Sequence, residues 1–166
     1  SDAPPLPLGV LVAATAGWIG YMIQQSLENA LLRMGSKRRV ATIVTQVHVD
    51  PQDPSLLDPE KFVGREASKE RAAQLTAAGH RLKPDGHGRL RRVVGSPIPL
   101  AIHELAVIKH LVNSGVVVIA VGGGGAPVYN DGLRGWEGID AVVDKDLAAA
   151  VLARGLGAQI LLILTN

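Results

Sequence analysis

Residues 103–121, HELAVIKHLVNSGVVVIAV, constrain the fold more than any other stretch. Leu105, Ile108, Leu111 and Val112 fall at helical spacing, Gly115 closes the helix, and six apolar residues follow. A helix that feeds at once into a strand with no polar alternation needs a sheet covered on both faces. That is the pattern of parallel strands joined by helices. The same rhythm predicts a helix over 17–35, with Ile19, Met22, Ile23, Leu27, Ala30, Leu31 and Met34 on one stripe and Gly35 as its cap. It predicts a strand over 39–50 ended by Asp50-Pro51, a helix over 144–157, and a second buried strand over 159–166. Apolar residues make up 47% of the chain but aromatics only 3%, so small residues must fill the helix–sheet contacts.

The middle interrupts this rhythm. Residues 51–64, PQDPSLLDPEKFVG, carry three prolines and read as irregular. A short helix with Ser68 as N-cap is expected over 67–79, and a hairpin over 80–94 around Pro84-Asp85-Gly86-His87-Gly88. The expected organisation is a first helix and strand (1–50), an inserted subdomain (51–95) and the rest of the core (96–166). Such an insertion either covers a site or is a decorative loop. The chain opens in a proline-rich stretch and closes on an apolar strand, so it is expected to be part of a longer fold.

Composition excludes several classes. With no cysteine there is no disulfide framework, thiolate chemistry or zinc–thiolate site. No apolar run is long enough to span a bilayer, and the start lacks the basic region of a signal peptide, so a cytoplasmic protein without a membrane partner is expected. A formal charge of +2 does not call for nucleic acid. Lys37-Arg38-Arg39 and Arg89, Arg91 and Arg92 lack interleaved aromatics and read as solvated ends of elements.

Two features could carry chemistry. Gly122, Gly123, Gly124 and Gly125 follow the apolar strand. No Gly-Lys-Ser/Thr follows them, and Pro127 stands where a dinucleotide fingerprint needs its third glycine. A glycine run after a strand is either a backbone cradle for an anion or a tight corner, and by itself it does not say which. Asp144, Lys145 and Asp146 stand at the expected start of the last helix. Carboxylates there are ordinary capping chemistry, but a lysine is disfavoured unless something anionic offsets it. His48, His80, His87 and His103 have no partners at metal-ligand spacing and read as surface or satisfied histidines.

The order of motifs resembles carbamate kinase, in the amino-acid kinase superfamily. The resemblance rests on GWIGYMIQQSL, TQVHVDPQDP, EKFVG, RLRRVVGSPIP, VGGGGAPV and GIDAVVDKDLAAAVLA leading to LLILT, and it covers essentially the whole chain. It implies a three-layer α/β/α sandwich around a mainly parallel sheet, with a protruding α/β-hairpin subdomain over the site. It implies reversible phosphoryl transfer between ATP and carbamate, giving ADP and carbamoyl phosphate with Mg²⁺, in arginine or agmatine breakdown. By the resemblance, Lys145 neutralises charge on the transferring group and Asp146 orients the catalytic lysines. Lys61 reaches in from the subdomain, while the four glycines and Asp144 line the phosphoryl or carbamate side. A homodimer is likewise implied.

The chain also departs from the family pattern. The Gly-Gly-Asn-Ala opening, the Gly-Asn-Gly-Pro loop and the nucleotide-binding region after the last strand do not occur in it. Ser-Gln-Gly reads Thr15-Ala16-Gly17, Ser-Pro-Lys-Pro reads Ser96-Pro97-Ile98-Pro99, and the proline after the protruding lysine is Phe62. These departures imply that the chain alone is inactive. They leave open a non-catalytic remnant that associates through its sheet edges, and a kinase with a different acceptor.

Overall fold

A computed structural model describes residues 6–164. Its centre is built from two runs of chain lying side by side. Strand β1 (Val40–Thr42) pairs parallel with β7 (Val117–Ile119), and β2 (Gln46–Val49) pairs parallel with β8 (Ala126–Asn130). Thr42 lies opposite Ile119 and Gln46 opposite Ala126. Residues 43–45 on one run therefore face residues 120–125 on the other, and the glycines occupy the longer excursion. Antiparallel strands flank the second pair: β6 (Pro99–Ile102) on β2 and β9 (Trp136–Gly138) on β8, in the order β6-β2-β8-β9.

Helices α4 (Leu105–Asn113) and α5 (Lys145–Leu156) cover this centre. Val47, Val49, Ile102, Ile108, Val143 and Ala148 form its buried cluster. Ala148, fully buried, lets α5 lie close to its neighbours, and Gly155 leaves room for Leu105, whose side chain a Cβ there would strike. A third sheet stands apart in sequence and pairing: β3 (Lys61–Val63), β5 (Leu90–Val94) and β4 (Arg81–Pro84), all antiparallel, with α3 (Lys69–Ala77) beside them. The hairpin read around Pro84–Gly88 and the Ser68 cap are both present, the Ser68 hydroxyl accepting from Arg71 N–H at 3.2 Å. The molecule is thus a layered α/β fold with parallel strands at its centre, as expected. No helix among the described residues is long and apolar enough to cross a membrane.

Four expectations need correction. The first helix, α1, runs Leu8–Arg33 rather than starting at residue 17, because Pro7 sits at its N-cap, where a missing N–H costs nothing. Its apolar stripe is not buried. The side toward β1 carries Gly20, Gln24 and Glu28, whose side-chain oxygens accept from Thr42 N–H (Gln24, 2.9 Å) and Val40 N–H (Glu28, 3.3 Å). Ile19, Met22 and Ile23 remain exposed. The strand over 39–50 is two strands, broken at 43–45 where the chain passes from one sheet to the other.

Residues 51–64 are not irregular throughout. Pro54 opens a one-turn helix, α2 (Pro54–Leu57), capped by Asp53, and Lys61–Val63 pairs with β5. Pro54 marks the helix start, a position that suits it, instead of excluding structure. Finally, residues 159–164 form no strand. Ile160, Leu161, Leu162, Ile163 and Leu164 are all exposed, because no strand among the described residues offers them a ladder. Thr165 and Asn166, the end of that expected strand, lie outside the described residues.

Candidate functional site

The start of α5 gathers the charged residues singled out by the sequence. Asp144 is its N-cap: one carboxylate oxygen accepts from Asp146 N–H at 2.9 Å and from Leu147 N–H at 3.3 Å. This satisfies two of the amides that open a helix without partners. The other oxygen accepts from Lys61 Nζ at 2.7 Å. Lys61 lies on β3, 83 residues away in sequence, so the separate three-stranded sheet delivers a lysine to the helix start. Both side chains are about one-third exposed, 35% and 34%. The Lys61 ammonium, ahead of the capping amides, holds the Asp144 carboxyl below the usual range against the opposing effect of burial.

Lys145 and Asp146 pair with each other at 2.9 Å and stay mostly in solvent. The Asp146 carboxylate keeps the Lys145 ammonium above its ordinary value. Each lysine of the site therefore has its own aspartate: Asp144 for Lys61 and Asp146 for Lys145.

The four glycines make a short 3₁₀ turn, Gly122–Gly124, with Gly123, Gly124 and Gly125 at positive φ. At two positions the missing side chain is required. A Cβ on Gly124 would overlap the Val143 carbonyl, and one on Gly125 would overlap Val47. The turn thus rests directly on the residue before Asp144, which joins it to the lysine–aspartate cluster. Gly124 N–H donates to Val121 O and Gly125 N–H to Gly122 O. Among the described residues the N–H groups of Gly122 and Gly123 have no acceptor, and Gly123 is exposed. Two free amides in a positive-φ turn are the means by which backbone binds an anion.

A cleft of about 440 Å³ opens beside Lys61, lined by Pro54, Ser55, Asp58, Glu60 and Ser96. Its walls are tied together by Asp53, whose carboxylate accepts from Ser55 N–H at 2.9 Å and from Ile98 N–H at 3.0 Å. A larger cavity, about 1150 Å³, lies elsewhere, between the first turns of α1 and the β8 and 138–140 segments. It holds none of Lys61, Gly122–Gly125 or Asp144–Asp146.

Sequence reading missed Thr45, which is buried at 1% exposure and touches both ends of the glycine excursion. A threonine inside a β-branched run gives no signal of its own. His48 and His103 stand edge-on to Trp136, at ring separations of 5.2 and 4.7 Å. Among the described residues no cluster of three acidic, histidine or cysteine side chains could hold a metal ion.

No family model matches the chain. It is similar to a carbamate kinase-like protein of Escherichia coli (strain K12), 47% identical over 165 residues. It is also similar to the carbamate kinase of Clostridium perfringens (strain 13 / Type A), 47% identical over 163 residues. These matches cover 99% and 98% of this chain and 53% and 52% of the relatives. Among solved structures it is similar to carbamate kinase from Giardia lamblia bound to AMP-PNP, with a TM-score of 0.82 and 40% identity over 94% of this chain and 50% of that one. The chain spans about half the length of the curated relatives it matches.

Proposed function

Since the chain belongs to the carbamate kinase family, we propose that it carries the phosphoryl-acceptor part of a carbamate kinase site. The reaction is the transfer of a phosphoryl group between ATP and carbamate, with ADP and carbamoyl phosphate on the other side. One observation carries this reading: Lys61 Nζ lies 2.7 Å from Asp144 Oδ2, so β3 brings a lysine onto the start of α5 beside the glycine turn. Phosphoryl transfer asks little covalent chemistry of a protein and much positioning and charge neutralisation.

In this reading a carbamate oxygen attacks the terminal phosphorus and the bond to the ADP oxygen breaks; the reverse direction returns the phosphoryl group to ADP. Lys145 and Lys61 neutralise charge on the transferring group. Asp146 and Asp144 hold the two ammonium groups in place, and Asp144 also fixes the helix end. The free Gly122 and Gly123 amides line the side on which carbamate and phosphoryl lie. Mg²⁺, when bound, screens the nucleotide phosphates. The aspartates are already engaged by lysines, which fits an ion carried mainly by those phosphates. The 51–95 segment covers the site, the partners are carbamate or carbamoyl phosphate and ATP or ADP, and the setting is cytoplasmic arginine or agmatine breakdown.

Because the chain spans about half of its relatives, we expect it to turn over slowly or not at all by itself. The test is ATP formation from ADP, Mg²⁺ and carbamoyl phosphate. Negligible turnover is expected. Robust turnover abolished by Lys145→Ala supports the reaction but ends the inactivity claim, and robust turnover indifferent to Lys145→Ala ends the residue assignment. The exposed stripe of α1, with Ile19, Met22 and Ile23 in solvent, favours a second reading in which the chain associates as a homodimer. Micromolar, Mg²⁺-dependent nucleotide binding by a strictly monomeric chain argues against that reading.

A further inference from the structure

The glycine excursion between β7 and β8 needs something to fix its shape. It starts on Val121, a β-branched residue at φ +50, in the left-handed region that such side chains avoid. Three positive-φ glycines then follow, each with wide conformational freedom. Neither feature holds itself. A strained residue followed by permissive ones keeps one conformation only when its surroundings impose it.

The surroundings converge on one residue. Thr45 lies at the break between β1 and β2 and is 1% exposed. Its hydroxyl accepts from the Val121 N–H at 3.0 Å and donates to the Ile43 carbonyl at 3.0 Å. Its main-chain carbonyl accepts from the Ala126 N–H at 2.9 Å. Val121 is the entrance of the excursion and Ala126 its exit, so a single residue pins both ends. The same carbonyl lies 3.1 Å from where a Gly125 Cβ would stand, so the turn is seated directly against this residue. The hydroxyl is oriented at its own end by Ile43, whose N–H donates to Ile119 O at 2.9 Å and continues the parallel ladder.

We infer that Thr45 is the positioning residue of the glycine turn, holding Val121 left-handed so that the Gly122 and Gly123 amides face the phosphoryl group together. This rests on the reading above that the turn binds that group. A hydroxyl is suited to the task because it donates and accepts at once. Valine has the same shape but leaves the Val121 amide and the Ile43 carbonyl without their partner. Serine keeps both bonds. Thr45 touches no substrate in this account and acts only through the turn.

The test is amide exchange and ¹⁵N spectra of the full 166-residue chain and its Thr45→Val and Thr45→Ser variants, with inorganic phosphate as the anion probe. In the unaltered chain the Val121 amide should exchange more slowly than those of Gly122 and Gly123, after correction for intrinsic rates. Thr45→Val should speed Val121 exchange by about tenfold, the worth of one hydrogen bond to a buried group, and should shift the Gly122–Gly125 resonances. Thr45→Ser should restore both. Phosphate should move the Gly122 and Gly123 amides in the unaltered chain, about tenfold more weakly in Thr45→Val, and normally in Thr45→Ser. Val121 exchange as fast as that of Gly123, or a Thr45→Val chain with unchanged exchange and phosphate affinity, overturns the inference. If Thr45→Val does not fold, the exchange order in the unaltered chain and the behaviour of Thr45→Ser decide it. Protection of Val121 that Thr45→Val releases, with no response of any glycine amide to phosphate, leaves the pin standing and overturns the phosphoryl reading of the turn.

Discussion

The β6-β2-β8-β9 centre and the β3-β5-β4 sheet are held together by different forces. The centre buries Val47, Val49, Ile108 and Val143 almost completely, with few ion pairs among its parts. In the three-stranded sheet only Val93 and Val94 of β5 are buried, and α3 has no buried residue. Ion pairs take their place: Lys83 with Asp58 and Glu60, Arg89 with Asp85 and Glu66. Exposed pairs contribute little and are screened by salt, whereas apolar burial is not subject to that screening. The Lys61–Asp144 pair crosses from one kind of structure to the other, and it is the pair placed at the candidate site. In the proposed reading the centre supplies the floor on which the helix start and the turn rest, and the three-stranded sheet supplies the lysine.

The largest expected effect lies in the centre. Ile108→Ala should lower unfolding stability by roughly 4 kcal/mol, through lost burial and the cavity left behind, as read from denaturant midpoints. Leu82→Ala in β4, half-buried in the three-stranded sheet, should cost clearly less; equal losses would break the comparison. Gly124→Ala comes next, at about 3 kcal/mol, because positive φ and the Val143 carbonyl both oppose a Cβ. A tolerated Gly124→Ala would mean that the turn does not rest on Val143.

Smaller effects belong to the three-stranded sheet and to the residue that anchors its lysine. Asp144→Ala should cost about 1 kcal/mol by uncapping α5, with only a minor further loss from the one-third-exposed Lys61 pair. High salt should erase that minor part and leave the capping loss, which separates the two in a salt series of unfolding curves. The smallest effect is a titration. Arg89 and the surrounding amides depress the Asp85 carboxyl to about 2. A depressed carboxyl contributes stability above its unfolded value, near 4, and that contribution is lost as pH falls toward about 2. The Asp85 carbon resonance should therefore titrate near 2 in the folded chain and near 4 in a peptide of the hairpin. Identical values would show that the turn holds no fixed Asp85–Arg89 pair.

The sequence made the helix–strand–helix rhythm of 103–157 legible because its periodicity is strong and its boundaries carry Gly115, Asp144 and Gly157. It also marked Lys61, Asp144, Lys145 and the glycines as candidates. It misjudged places where polar or tertiary contacts decide. Residues 39–50 read as one strand, since β-branched composition says nothing about Thr45 bonding sideways to Val121. The apolar stripe of α1 was legible, but not that Gly20, Gln24 and Glu28 face the sheet, with the Gln24 and Glu28 oxygens serving the β1 amides. Residues 159–166 read as a core strand, but an apolar run becomes a strand only where a neighbour supplies a ladder, and the described residues 159–164 form none. The pairing of Lys61 with Asp144 across 83 residues lies beyond any local pattern.

The central claim is that Lys61 and the start of α5 form one anion site, and calorimetric titration of carbamoyl phosphate tests it most directly. The chain should bind, and Lys61→Ala and Lys145→Ala should each weaken binding by about tenfold, the scale of one charge-assisted contact. Equal affinity in all three proteins, or no binding by the unaltered chain, would contradict it.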